Sequence, residues 1–266
     1  MDVILVILLI FLITAYMIKG VANKFSVHSE NYLWLIFGIH ILMSVGYAVY
    51  AANTTSDSIA YFTKSGSAAS WFETWGIGTT FIQFLAWPFS SLFKLSYYSC
   101  MAIFSFFGYI AILLFYITAK ENLKLEPIWM RFTVVELVFM LPNLHFWSSS
   151  LGKGAVILLG LAIFTYGLSR FNRRLIPLLL GGFLTFMVRP HILFTAVVAV
   201  MLGIILTSGG IKNYLRWIIF IVAGIVFFYT SDTVLKFADT ESLDILTSSS
   251  LSHRATELSK ASSGID

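Results

Sequence analysis

The stretch LIPLLLGGFLTFMVRPHILFTAVVAVMLGIILT, from Leu175 to Thr207, decides how this chain is read. It is 33 apolar residues broken once, by Arg189-Pro190-His191. As one helix it would be about 50 Å long at 1.5 Å per residue. The hydrocarbon core of a bilayer is about 30 Å thick, so a single crossing has no use for that length. Two half-runs joined at a membrane face are expected instead, because proline breaks a helix. The joint then carries a guanidinium and an imidazole. An arginine in such a run is expensive and marks a functional site by default.

Composition agrees. Of the 266 residues, 58% are hydrophobic and 11% charged, with a mean hydropathy of +0.87; a soluble domain is about 25% charged. The expected fold class is an all-α polytopic transmembrane bundle of about eight spans plus an interfacial helix. Cys100 is the only cysteine, so no disulfide framework exists. The N-terminus, Met1-Asp2 followed by an apolar run to Ile18, lacks a basic n-region and reads as a retained first span. No P-loop or dinucleotide fingerprint is present, no His or Cys pair has ligand spacing, and no cofactor, metal or nucleic-acid partner is expected.

Eight apolar segments can be placed, at roughly 2–18, 33–51, 97–118, 131–144, 153–169, 175–188, 191–207 and 216–230. The stretch 79–93, with Trp87-Pro88, reads as the interfacial helix. Alternate loops hold Lys19 and Lys24; Lys120, Lys124 and Arg131; Arg170, Arg173 and Arg174; and Lys212 and Arg216, which is ten of the 17 basic residues. The positive-inside rule makes these loops cytoplasmic. The N-terminus, loop 52–96, the turns at 142–153 and 188–191, and the polar tail then lie outside. The domain reading is a transmembrane domain over 1–230 with extracytoplasmic loop 52–96, followed by a polar tail over 231–266. That tail stops in mid-loop at Ser262-Ser263-Gly264-Ile265-Asp266 and reads either as the cut end of a fragment or as a short polar tail.

This topology collects the unusual polar residues on the outer side. Asp57 and Tyr61 come from the first outer loop, His145, Trp147 and Lys153 from the second, and Arg189 and His191 from the third. Arginine binds phosphate as a fork and lysine as a point charge. The start of the span at Lys153 adds outward N–H groups, and a lone acid such as Asp57 can accept a proton from an attacking hydroxyl. The expected chemistry is displacement at a sugar carbon with a lipid phosphate leaving. Plainer readings stand beside these: Asp57 at a helix N-cap, Lys153 snorkelling to headgroups, and His145 and Trp147 in an aromatic belt. Glu136, a carboxylate inside the fourth span, is a further candidate. His40 reads as a packing residue, Trp71, Glu73 and Trp75 as sugar-stacking or headgroup-facing residues, and Glu73 also as a possible second acid.

The stretch Leu141-Pro-Asn-Leu-His-Phe-Trp-Ser-Ser-Ser-Leu-Gly-Lys153, then a span, a basic loop and Arg189-Pro-His191, resembles bacterial O-antigen and exopolysaccharide polymerase-like proteins and the related C-type (GT-C) glycosyltransferases. Asp57-Ser-x-x-Tyr61 resembles the acidic first-loop motif of that superfamily. The resemblance covers about Ser56 to His191. It implies a polyprenyl-phosphate-linked saccharide donor, a saccharide acceptor and inverting transfer in the bacterial inner membrane. Asp57 would be the base and Lys153 and Arg189 the phosphate ligands, with His191 and His145 assisting. Here Asp57 stands alone between serines, and Gly154 follows Lys153 where many relatives carry an acid. Two other readings fit the same residues: a flippase or transporter of lipid-linked saccharides, and a non-catalytic membrane subunit of a polysaccharide-assembly complex.

Overall fold

The computed structural model describes residues 2–124, 126–129 and 131–206, together with 217, 220, 221 and 224. The described residues are helical and contain no strand. The chain divides into two units at the expected break, between Arg189 and Pro190. The second unit is described by α10 (Pro190–Leu206), with the Thr195 hydroxyl donating to the His191 carbonyl. The expected span 216–230 and the tail 231–266 lie outside the described residues.

Among the described residues three helices are long and apolar enough to cross a membrane, or four if a bent pair counts as one span: α1 (Asp2–Lys24), α2 (Val27–Asn53) and α5 (Tyr97–Asn122) stand alone. On α1, Ile4, Leu5, Leu8, Leu12 and Tyr16 all stand exposed, a continuous apolar face that suits lipid rather than water. The chain is thus an all-helical membrane protein. Side chains fix the helix directions. The Asp2 carboxylate accepts from the Ser96 N–H at 2.7 Å and the Ser99 hydroxyl at 2.8 Å, capping the start of α5. At the other ends, Lys24 pairs with Glu121. α1 and α5 therefore run parallel, and α2 returns between them. Leu33, Ile36, Tyr109, Ile112 and Tyr116 fill the seam.

Glu121 is 2% exposed and also meets Arg174 at 2.8 Å and Arg170 at 3.4 Å. Glu136 is 1% exposed and meets Lys120 at 3.1 Å and His28 at 3.6 Å. These pairs draw three of the four basic loops onto one face of the bundle; Lys212 and Arg216 lie outside the described residues. Three short cationic loops thereby anchor to carboxylates that would be costly alone.

The expected fourth span, 131–144, is not one helix. It forms α6 (Val134–Phe139) and α7 (Pro142–Ser148). Thr133 caps α6 in a capping box with Glu136, and Pro142 starts α7, where its missing N–H costs nothing. α7 then turns by 108° into α8 (Lys153–Leu168). The chain still climbs from one face to the other in this stretch. Glu136 sits at the basic end, His145 faces the middle of α2, and Trp147 reaches Tyr47 near its far end. The count of about eight continuous spans is not what the described residues form. Close approach is needed here: a Cβ on Gly108 of α5 would collide with the Ser148 carbonyl oxygen.

Between α2 and α5 the chain folds into α3 (Asp57–Ser67), a short turn at Trp71–Thr74, α4 (Thr79–Trp87) and a wide turn at Pro88–Leu92. α4 is the expected interfacial helix, yet Phe81, Ile82 and Ala86 are buried in the core, so it is an integral part of the bundle. α8 packs along α9 (Leu175–Val188). α9 starts at the basic face through Arg174 and ends beside α4, where the Gly78 N–H donates to the Met187 carbonyl at 2.7 Å. Gly78 has φ 79°, a conformation that favours glycine.

Candidate functional site on the face opposite the basic cluster

Asp57 is the first residue of α3. Ser56 precedes it as the N-cap and accepts the Ser58 N–H at 3.3 Å. The Asp57 carboxylate is exposed in the first turn, where the helix dipole favours an anion. It lines an open depression of about 620 Å³ with Thr54, Thr55, Thr63 and Lys64. Ile59 and Ala60 complete a lining that is mostly apolar, with one acid and one base in it.

Tyr61 is one turn further along the same helical side, but its ring goes inward and is 6% exposed. It belongs to a core shared with Leu151, Ala155, Met187 and Val188, from α8 and its approach and from the end of α9. The ring lies 3.9 Å from where a Cβ on Gly152 would stand, directly before Lys153. Burial and the nearby Asp57 carboxylate push the Tyr61 phenol up to about 12, against the opposing pull of the Thr79 hydroxyl and the Arg189 guanidinium. One buried phenol thus feels the carboxylate from α3, a hydroxyl from α4 and the cation that ends α9. Lys153, the first residue of α8, directly follows Gly152.

Behind Asp57 runs a chain of hydroxyls. Tyr47 meets Ser56 at 3.1 Å, Ser56 meets Ser58 at 2.9 Å, and Ser58 meets Tyr97 at 2.7 Å. It locks the start of α3 to α2 and α5, so the carboxylate stands on a rigid base. Ser56 and Ser58 flank Asp57 in the sequence and are legible there as a helix cap. Thr79, Tyr47 and Tyr97 have no local pattern, and only the fold brings them to Asp57 and Tyr61.

The other candidates lie elsewhere. His145 is fully buried; its Nδ1 faces His40 Nδ1 at 3.0 Å and its Nε2 faces the Phe139 carbonyl at 2.6 Å. It is therefore an interior residue and not a phosphate ligand beside Lys153. Glu136 serves the capping box and the basic-face ion pairs, accepting the Thr133 N–H at 2.8 Å. Trp147 is 54% exposed and packs edge-on to Tyr47 and Phe146. His191 stands in the first turn of α10 in the second unit. Glu73 accepts the Ala69 and Ser70 N–H groups. Trp71 stacks on Phe84 at 4.9 Å, and Trp75 meets Phe84 edge-on. Among the described residues, no group of three or more His, Cys, Asp or Glu is placed to hold a metal.

No protein-family model, no curated protein and no solved structure matches this chain.

Proposed function

We propose that this protein transfers a sugar from a polyprenyl-phosphate-linked donor to a saccharide acceptor. It would do so at the extracytoplasmic face of a bacterial inner membrane, with its N-terminus outside, in surface-polysaccharide synthesis. The observation that supports this most is the convergence on Tyr61 of Asp57, Thr79, Arg189 and the Gly152-Lys153 start of α8, away from the basic face.

In this reading the acceptor lies in the depression beside Asp57 with one hydroxyl against its carboxylate. Asp57 takes that proton as the oxygen attacks the anomeric carbon. The bond from that carbon to the phosphate oxygen breaks, and its electron pair leaves with the lipid phosphate. Arg189 and Lys153 stabilise the departing charge. Displacement from the opposite side inverts the anomeric centre. The test is transfer by the purified protein in lipid nanodiscs, supplied with a lipid-linked saccharide and an acceptor. Asp57→Asn and Arg189→Ala should each lose transfer, and full activity in both variants overturns the reading.

A second reading, movement of the lipid-linked saccharide across the membrane, is favoured by one observation. The crossing through α6 and α7 is broken and carries polar groups at mid-depth, as transporters require. Proteoliposomes loaded with a labelled lipid-linked saccharide separate the two. Flipping without transfer supports the second reading, and transfer without flipping supports the first.

A further inference from the structure

Independently of the outer-face chemistry, we propose that His40 and His145 form a proton-binding site, holding one shared proton between their Nδ1 atoms. His40 is the central residue of α2, thirteen residues from each end, or roughly 20 Å of helix either way. Its ring and that of His145 are 1% and 0% exposed. The two Nδ1 atoms are 3.0 Å apart. His40 Nε2 faces the Ser105 carbonyl at 2.9 Å, and His145 Nε2 faces the Phe139 carbonyl at 2.6 Å.

Counting donors makes the case. A carbonyl only accepts, so each Nε2 must carry a hydrogen. The Nδ1–Nδ1 contact needs a third. Two neutral imidazoles carry two N–H groups between them, so the neutral pair leaves one of three close contacts as lone pair against lone pair. One added proton satisfies all three and leaves the pair with a single positive charge. Burial opposes that charge, while the two carbonyl dipoles and its spread over two rings favour it. The described geometry is therefore that of the protonated pair, and losing the proton must open one contact.

The surroundings leave the proton to this pair. α1 contributes apolar side chains next to His40, Ile7, Ile10 and Phe11 among them. α2 adds Ser44, which donates to the Ser149 carbonyl, and, two turns on, Tyr47, whose hydroxyl meets Ser56. α5 adds Tyr109, whose hydroxyl donates to Leu33. On α6, the Glu136 carboxylate is engaged by Thr133 and Lys120. α7 adds Ser148, whose hydroxyl donates to the Leu144 carbonyl. None of the described ion pairs includes either ring. The consequence is mechanical: α7 is held to α2 and α6 through this proton, and α7 leads directly into the Leu151-Gly152 turn against Tyr61.

The test is nitrogen NMR of the full chain in nanodiscs, with ¹⁵N-labelled histidine. Two ring nitrogens should show coupling across a hydrogen bond, and the two rings should titrate as one single-proton step. Either His40→Gln or His145→Gln should abolish the coupling. Should those variants fail to fold, replacing His28, His191 and His253 leaves only the pair labelled, and the coupling must survive. Two bare Nδ1 atoms at every pH between about 5 and 8, or two rings titrating independently, overturn the proposal.

Discussion

The two faces of the bundle use charge in opposite ways. On the basic face, Glu121 and Glu136 are almost fully buried, and each is surrounded by cations from other elements. Those charges hold α1, α5, α8 and α9 in place. On the opposite face, Asp57 is exposed at a helix start and lines an open depression. Arg189, which ends α9 there, acts together with Asp57 on one buried phenol. Charges buried in pairs are a structural investment. An exposed carboxylate on a rigid base is available to a ligand. The same residue types therefore support different readings at the two ends of the same helices.

Substitutions at matched positions can break that comparison. Asp57→Asn should cut transfer by about 10²- to 10⁴-fold, the usual worth of a general base, with no change in thermal midpoint. Glu121→Gln should do the reverse. It leaves Lys24, Arg170 and Arg174 around a neutral group and should lower stability, by less than the roughly 3–5 kcal/mol that breaking a fully buried pair costs because Lys24 and Arg170 are half exposed. Thermal unfolding in detergent, run beside the transfer assay, reads both. If Asp57→Asn unfolds the protein, or Glu121→Gln loses only activity, the division between the faces is wrong.

How much of this was legible in the sequence depends on the range of the signal. The break at Arg189-Pro190 followed from a length and a proline, both local, and α1, α2 and α5 from apolar runs of sufficient length. The error at 131–144 was avoidable in part. Thr133-Val-Val-Glu136 is a capping-box pattern, and Pro142 is a start signal, so the stretch contained two helix beginnings that its apolar composition concealed. Glu136 looked like a lone acid because Lys120 and His28, which pair with it, are supplied by other elements. The His40–His145 contact spans 105 residues and has no local mark. Tyr61 was visible as a motif residue, but its role as the point where α3, α4, α8 and α9 meet was not.

The climb through α6 and α7 gives a smaller and sharper test. Gly108→Ala places a methyl against the Ser148 carbonyl, where backbone cannot yield cheaply. It should destabilise the protein by about 1–3 kcal/mol, as overpacking does. Because Ser148 leads into the turn beside Tyr61, activity should fall further than stability alone explains. Gly38→Ala, on α2 with open space around it, is the control and should change neither.

The smallest expected effect reads the electrostatics of the open face directly. The Tyr61 phenol is held near 12 instead of its ordinary 10, first by burial and then by Asp57. A pKa raised in the folded state means that the neutral form is the one folding prefers. That stability is fully present below about pH 10 and is lost as pH climbs towards 12. The shift corresponds to about 2–3 kcal/mol at 1.36 kcal/mol per unit. Tyr61→Phe removes the ionisable hydroxyl and should flatten the alkaline limb of the stability curve between pH 10 and 12. Asp57→Asn should lower the phenol's pKa and end that limb at slightly lower pH, since the carboxylate is the second cause and not the first. Arg189→Ala should do the opposite and extend the limb to higher pH, because the guanidinium opposes the rise. A Tyr61→Phe protein whose alkaline limb matches wild type would mean that this phenol does not feel the charges of the open face, and the convergence of α3, α8 and α9 on it would lose its electrostatic meaning.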